Sequence, residues 1–357
     1  MPYEATYPDV PPIKRSALCT FAWALLFFAL INITVWFVFD HHFFGWIGFE
    51  RLLNDPSENQ LRGMIAKIQS DSDHRHIILV GDSTLWGVPL DYRQTVAGIV
   101  ARRLQSDPSL RVVNLAVPGA SFADEYAIID HLYKPTDTYL FFVNPIWFQD
   151  RYSALPFASL VRFPDTVAES LYGDRALLAR CCDLQIPSPD SPDVIVRRLL
   201  PRMFPLVENQ DIINATLLGM HPAAAETVVL SRAAKIIAGE KTTGSVEDIQ
   251  NTANPNGKGA IPANDVPRGR NFALLRVLRA RIGGRTNVRF ILLDDDLYFR
   301  SPKDTENMNA VAHMLGSGTL LNLQNTIDHS LFSGITHLLP AAQARVADAI
   351  IRSLHAP

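Results

Sequence analysis

Five short apolar runs punctuate the chain, and each ends on small or polar residues. Ile77-Ile78-Leu79-Val80 stops at Gly81-Asp82-Ser83, and Arg111 to Val117 stops at Pro118-Gly119-Ala120-Ser121. Tyr139 to Val143 stops at Asn144-Pro145, Val288 to Leu293 stops at Asp294-Asp295-Asp296, and Thr319 to Asn325 leads into a polar loop. Continuous apolar runs of this length suit strands covered on both faces of a parallel sheet. Helical spacing fills the gaps. It appears in Val88–Leu104 (Ile99, Val100, Leu104), in Phe122–Leu132 behind a Ser121 cap, and in Ala341–Leu354 (Val346, Ala349, Ile350, Ile351). A further amphipathic stretch precedes the first strand, through Leu61, Met64, Ile65 and Ile68. Strand and helix in alternation predict an α/β fold with a flavodoxin-like, doubly wound parallel sheet. In such a sheet the carboxyl ends of neighbouring strands converge, which would bring Ser83, Gly119 and Asn144 to one crevice.

The longest apolar run lies apart from this pattern. Ser16–Phe39 carries no charge, and at ~1.5 Å per residue it spans a ~30 Å hydrocarbon core with some tilt. It is too long for a signal-peptide core, and no Ala-x-Ala site follows it. Lys14 and Arg15 precede it and Asp40 follows, so the positive-inside rule places the N-terminus in the cytoplasm and the rest outside. Trp36, Phe43, Phe44 and Trp46 would form the outer interfacial belt. The alternative is a buried helix of a soluble protein. The expected organisation is a cytoplasmic tail (1–15), a transmembrane helix (16–39), a stalk and linking helix (40–75), and an α/β domain (76–357). That predicts a single-pass protein of the inner, cytoplasmic membrane, its lipid-bilayer contact at 16–39 and its domain outside, in the periplasm if the cell is Gram-negative.

Composition narrows the classes. The 357 residues are 48% hydrophobic with a formal charge of −3, enough for a sizeable core, and no basic stripe suggests nucleic acid. Three cysteines are too few for a disulfide scaffold. Cys19 sits in the anchor, and adjacent Cys181 and Cys182 read as packed thiols, with a vicinal disulfide as the alternative in an oxidising compartment. Residues 151–285 read as a helical insertion or lid, with helical segments at Val194–Met203 and Ala223–Ile237 and a long loop over 241–268. Asn256 and Lys258 there are either polar substrate contacts or a solvated loop. Asp294-Asp295-Asp296 cannot all face one ion and suits a strand-end turn; no metal and no organic cofactor is expected.

Chemistry gathers at the strand ends. Ser83 follows a buried strand on a sharp turn, where helix N–H groups can stabilise an oxyanion; the alternative is that Asp82-Ser83 only caps the next helix. Gly119 permits positive φ and leaves room beside it. Trp86 and Trp147 would either stack on a sugar ring or pack in the core. The ordered set Gly81-Asp82-Ser83, Gly119, Asn144 and His337 resembles the SGNH hydrolase superfamily, the GDSL-type esterases, over about 77–150 and 286–355. The resemblance implies the SGNH hydrolase fold, a Ser83 nucleophile with His337 as its base, and an oxyanion hole from Ser83 N–H, Gly119 N–H and the Asn144 amide. The family carries Asp three residues before its histidine; here that position is Gly334. Asp328, nine residues upstream, is the candidate third member, and a Ser-His dyad is the alternative. The third block also departs, with Val143 and Pro145 flanking Asn144. Asn144-Pro145-Ile146-Trp147-Phe148 and the anchor are similar to the D-alanyl transfer protein of teichoic-acid modification and to alginate and peptidoglycan O-acetyltransferases. That similarity implies transfer of O-acyl, in particular acetyl, groups to a cell-envelope polysaccharide, with a membrane-bound O-acyltransferase as donor. The contrasting expectation is an inactive scaffold or glycan-binding component of an envelope polysaccharide machine.

Overall fold

Each strand of the sheet sends alternate side chains into two separate cores, and that explains why the runs are predominantly apolar. In this computed structural model, which describes residues 15–35, 51–52, 56–87, 90–148, 161–188, 190, 192, 269–295, 301–316, 318–333 and 337–355, five strands form one sheet. They are β1 (Arg75–Val80), β2 (Leu110–Asn114), β3 (Thr138–Val143), β4 (Val288–Leu292) and β5 (Leu320–Asn322), in the order β2-β1-β3-β4-β5. All four pairings are parallel. This is a doubly wound order whose direction reverses between β1 and β3, the point where such sheets open a crevice.

Ile78, Val80, Phe141 and Phe290 face one core, together with α2 (Glu58–Ser70), α5 (Phe122–Leu132) and α8 (Arg270–Ile282). Ile77, Leu79, Leu140 and Ile291 face the other, beneath α4 (Val96–Arg103) and the C-terminal α10 (Pro340–His355). Between these helices lie α3 (Ser83–Trp86), α6 (Pro164–Leu171), α7 (Arg175–Cys182) and α9 (Pro302–Leu315). A two-stranded antiparallel ribbon, β6 (Phe332–Ser333) and β7 (His337–Leu338), precedes α10. The ends of α5 follow the sequence reading: Ser121 caps it, its Oγ accepting from Asp124 N while Asp124 Oδ2 accepts from Ser121 N, a reciprocal capping box.

Several expectations change. Within the segment drawn as stalk and linking helix (40–75), Arg51 and Leu52 pair with Asn114, and α2 packs on the sheet. Leu61, Met64, Ile65 and Ile68 of α2 are buried in the sheet's core, so the α/β unit begins well before residue 76. Helix α8, assigned to the 151–285 insertion, is instead the crossover leading into β4. Within 151–285 the described residues also form α6 and α7; Val194–Met203, Ala223–Ile237, Asn256, Lys258 and the rest of 193–268 lie outside the described residues. Cys181 and Cys182 are joined in a disulfide, not held as two thiols. The helix predicted over Val88–Leu104 is a short 3-10 turn at Tyr92–Gln94 followed by α4.

The N-terminal α1 (Arg15–Val35) presents exposed Phe21, Trp23, Phe27 and Ile33, each more than half accessible. Among the described residues no helix is long and apolar enough to cross a membrane. Residues 1–14 of the expected tail and the expected aromatic belt from Trp36 to Trp46 lie outside the described residues.

If α2 belongs to the core, deleting its buried side chains must unfold the domain more easily. Leu61→Ala is expected to lower unfolding stability by ~2–5 kcal/mol, read from urea denaturation of the domain. A loss below about 0.5 kcal/mol, as at an exposed position, would return this helix to a linker.

Candidate active site

Main-chain pairing between β1 and β2 continues past the strand ends and sets two loops side by side. Leu115 N donates to Leu79 O and Val117 N to Gly81 O. Gly81 is required less for its own φ than for space: a Cβ there would lie 3.0 Å from Phe142 Cβ and 3.1 Å from Leu85 Cδ2. The chain then turns at once into α3, with Ser83 as its first residue. Asp82 caps that helix by accepting from Thr84 N, so the capping alternative is correct for Asp82 and leaves Ser83 Oγ free for other chemistry. On the neighbouring loop, Ala120 N donates to Val117 O across Pro118-Gly119, and Gly119 has φ +76°. Pro followed by Gly at positive φ suits a type II turn. A Cβ on Gly119 would meet nothing within 4 Å, so the turn borders open space.

His337 arrives from the other end of the chain. It begins β7, where it pairs with Ser333, and its Nε2 lies 3.1 Å from Ser83 Oγ. Buried Gln343 of α10 fixes this approach: its Oε1 accepts from Val96 N, and its Nε2 reaches Thr84 O and Leu338 O at 3.4 and 3.5 Å. Burial lowers the pKa of His337 from its ordinary 6.5, and the charge of Asp82 opposes that shift. A neutral imidazole whose Nε2 faces a serine hydroxyl can accept its proton.

Asn144 follows β3 and is buried. Its Nδ2 donates to Asp82 Oδ2 at 2.7 Å and Thr84 Oγ1 at 3.0 Å, while its Oδ1 accepts from Ile146 N. Both amide hydrogens are thus engaged inside the protein, so the expected oxyanion donor acts here as a brace between the β1 and β3 loops. Trp147 Nε1 also reaches Asp82 Oδ2, at 3.3 Å. Trp86 is buried and belongs to the core; Trp147 is half-buried.

Asp328 is not brought to His337. It is exposed, and its hydrogen bonds go to Ser330 N and Ser330 Oγ as the cap of a 3-10 turn, which lowers its pKa. The charge of Asp82, by contrast, does reach His337. Asp294, the first of three adjacent acids, is buried and accepts from Asp295 N, Thr326 N and Ile327 N, stapling the β4 end to the loop after β5. Among the described residues no cluster of His, Cys, Asp or Glu is arranged to hold a metal ion.

One residue escaped the sequence reading. Glu125, in the first turn of α5, is only 2% exposed, and its Oε2 has no hydrogen-bond partner among the described residues. Burial first, then the nearby charges of Asp82 and Asp124, raise its pKa well above 4.5.

No family model matches the chain, and no curated protein matches it. Among solved structures, the crystal structure of TesA is similar over 79% of this chain and 98% of that one, at 13% identity and a TM-score of 0.34. A score of that size carries no argument about the site.

The Glu125 shift has a stability consequence. A carboxyl whose folded pKa is raised holds its proton in the native state after the unfolded state has lost it, so stability falls as pH rises from about 4.5. Glu125→Gln is therefore expected to raise Tm at pH 7, with a wild-type-to-variant gap that shrinks toward pH 4. An equal gap at both pH values in paired thermal melts would count against a neutral Glu125.

Proposed function

We propose that this chain is a membrane-anchored serine O-acyltransferase or esterase of the SGNH type, working through a Ser83 acyl-enzyme on O-acyl groups of a cell-envelope polysaccharide. The observation that carries it is the Ser83 Oγ–His337 Nε2 approach of 3.1 Å at the switch point of a doubly wound sheet. In the proposed cycle His337 Nε2 takes the Ser83 proton as Oγ attacks the acyl carbonyl. The tetrahedral oxyanion collapses, the C–O bond to the donor breaks, and His337 returns the proton to the departing oxygen. A sugar hydroxyl or water then gives its proton to His337 and attacks the acyl carbon, the ester bond to Ser83 breaks, and His337 Nε2 returns that proton to Ser83 Oγ. The N–H groups of Ser83 and Gly119 are the proposed oxyanion donors. Asn144 would join them only by turning one hydrogen away from Thr84. Asp328 is tied to Ser330, and the charge of Asp82 is the proposed stabiliser of the His337 imidazolium.

Transfer rather than hydrolysis, and acetyl as the group, rest on the similarity of Asn144–Phe148 and of the topology to envelope O-acetyltransferases. A membrane-bound O-acyltransferase is the proposed acyl donor. The anchor reading is supported by the exposed apolar side chains of α1 and by the uncharged sequence continuing to Phe39. It predicts that the full chain sediments with membranes through alkaline carbonate washing, and that a chain starting at residue 45 is released. Release of the full chain by carbonate would remove the anchor.

A scaffold reading is favoured by the Asn144 amide being engaged and by Gly334 standing where the family has its acid. A burst assay separates the two. With p-nitrophenyl acetate, wild type is expected to give a stoichiometric burst and an acetyl mass adduct that Ser83→Ala abolishes and His337→Ala slows at least about 10²-fold. Because only neutral His337 accepts the proton, the burst rate should fall on acidification with its midpoint below 6.5. No adduct, or equal rates in all three proteins, would favour the scaffold.

A further inference from the structure

The helix that carries Ser83 cannot hold itself. It has four residues, too few to offset the nucleation cost of a helix, and its terminal carbonyls need partners from elsewhere. The N-terminal side is fixed by Asp82. The C-terminal side is fixed by residues that precede the sheet in sequence. Arg51 is 4% exposed, its guanidinium carbon lies 3.9 Å from the centre of the Trp86 ring, and its Nη1 donates to Trp86 O at 3.1 Å and Leu90 O at 3.3 Å. Trp86 Nε1 returns a bond to Leu52 O at 3.0 Å. Residues 51 and 52 are themselves laid on β2: Arg51 bridges Asn114 in parallel fashion, and Leu52 N donates to Asn114 O. Asn114 closes the circuit, its Nδ2 donating to Leu85 O at 3.2 Å.

We propose that Arg51 is a positioning residue for the Ser83 nucleophile, and that residues 51 and 52 are thereby part of the active-site framework. The role rests on the catalytic reading given above. A guanidinium suits the place for three reasons: it lies over the indole ring, reaches two carbonyls from one nitrogen, and puts positive charge at a helix C-terminus. Asn114 ends the strand that leads to Gly119, so the same node sets the spacing between the nucleophile's helix and the Gly119 turn. Loss of the clamp lets α3 tilt, and reacting groups misplaced by about 1 Å can lose about 10²-fold in rate.

The test uses the full-length chain in detergent, with Arg51→Met, Arg51→Lys and a distant control, Arg285→Met, which removes a cation from Asp130. Two measurements are made on each: amide hydrogen exchange at Trp86 and Gly87 against the amides of β3, and burst amplitude and rate constant for Ser83 acetylation by p-nitrophenyl acetate. Arg51→Met is expected to speed exchange at Trp86 and Gly87 at least about tenfold with β3 unchanged. It should also slow acetylation about ten- to a hundredfold, at wild-type burst amplitude and with the same acid midpoint. Arg51→Lys should fall between, and Arg285→Met should change neither. Should Arg51→Met not fold, Arg51→Lys against Arg285→Met makes the same comparison. Unchanged exchange at Trp86 and Gly87, equal acceleration in β3, or a lower amplitude at wild-type rate constant overturns the proposal. A wild type with no Ser83 adduct overturns the catalytic reading and this role with it, while the exchange data separately report whether the clamp holds α3.

Discussion

Asp82 accepts three N–H groups, one from Thr84 in its own turn and two from the loop after β3, Asn144 and Trp147. A buried carboxylate is tolerated only when its oxygens are occupied in this way. Once they are, the carboxylate ties the carboxyl end of β1 to that of β3 across the place where the sheet reverses direction. The Ser83 helix starts from this node, and the imidazole of His337 senses its charge. The remaining contacts of the crevice are adjustments around it: Gln343 brings in α10, the β2 extension brings in Gly119, and Arg51 holds the far end of the four-residue helix.

The strands were readable because burial on both faces leaves them few polar positions, and right-handed crossovers limit their possible orders to a handful. Helix α5 was readable at its start because the Ser121–Asp124 box is a local hydrogen-bonded unit. Helix α9 carries a similar signal at Ser301 and Asp304, which the sequence reading passed over. Helix α3 is too short to show any period.

In the site, Ser83 and His337 were legible as parts of a spaced set of blocks, and the fold brings them together. Asp328 failed for a physical reason: a short acid before His-Ser satisfies itself locally by capping, and distance along the chain says nothing about that competition. Asn144 was found in position but with its donors turned inward, since its partner Asp82 lies on another loop. Glu125 reads in sequence as an ordinary first-turn acid complementing a helix dipole, and Arg51 as a linker charge. Only tertiary burial distinguishes either one.

Ser83 and His337 are separated by 254 positions, and His337 enters on β7, just before α10. Everything that defines the Ser83 turn is encoded in the first part of the domain, but the imidazole and the Gln343 tie come from β7 and α10. The Ser83–His337 pair therefore comes into being only when these late elements have been made and delivered to the folded remainder. A chain halted before β7 would display a braced serine hydroxyl with no imidazole beside it.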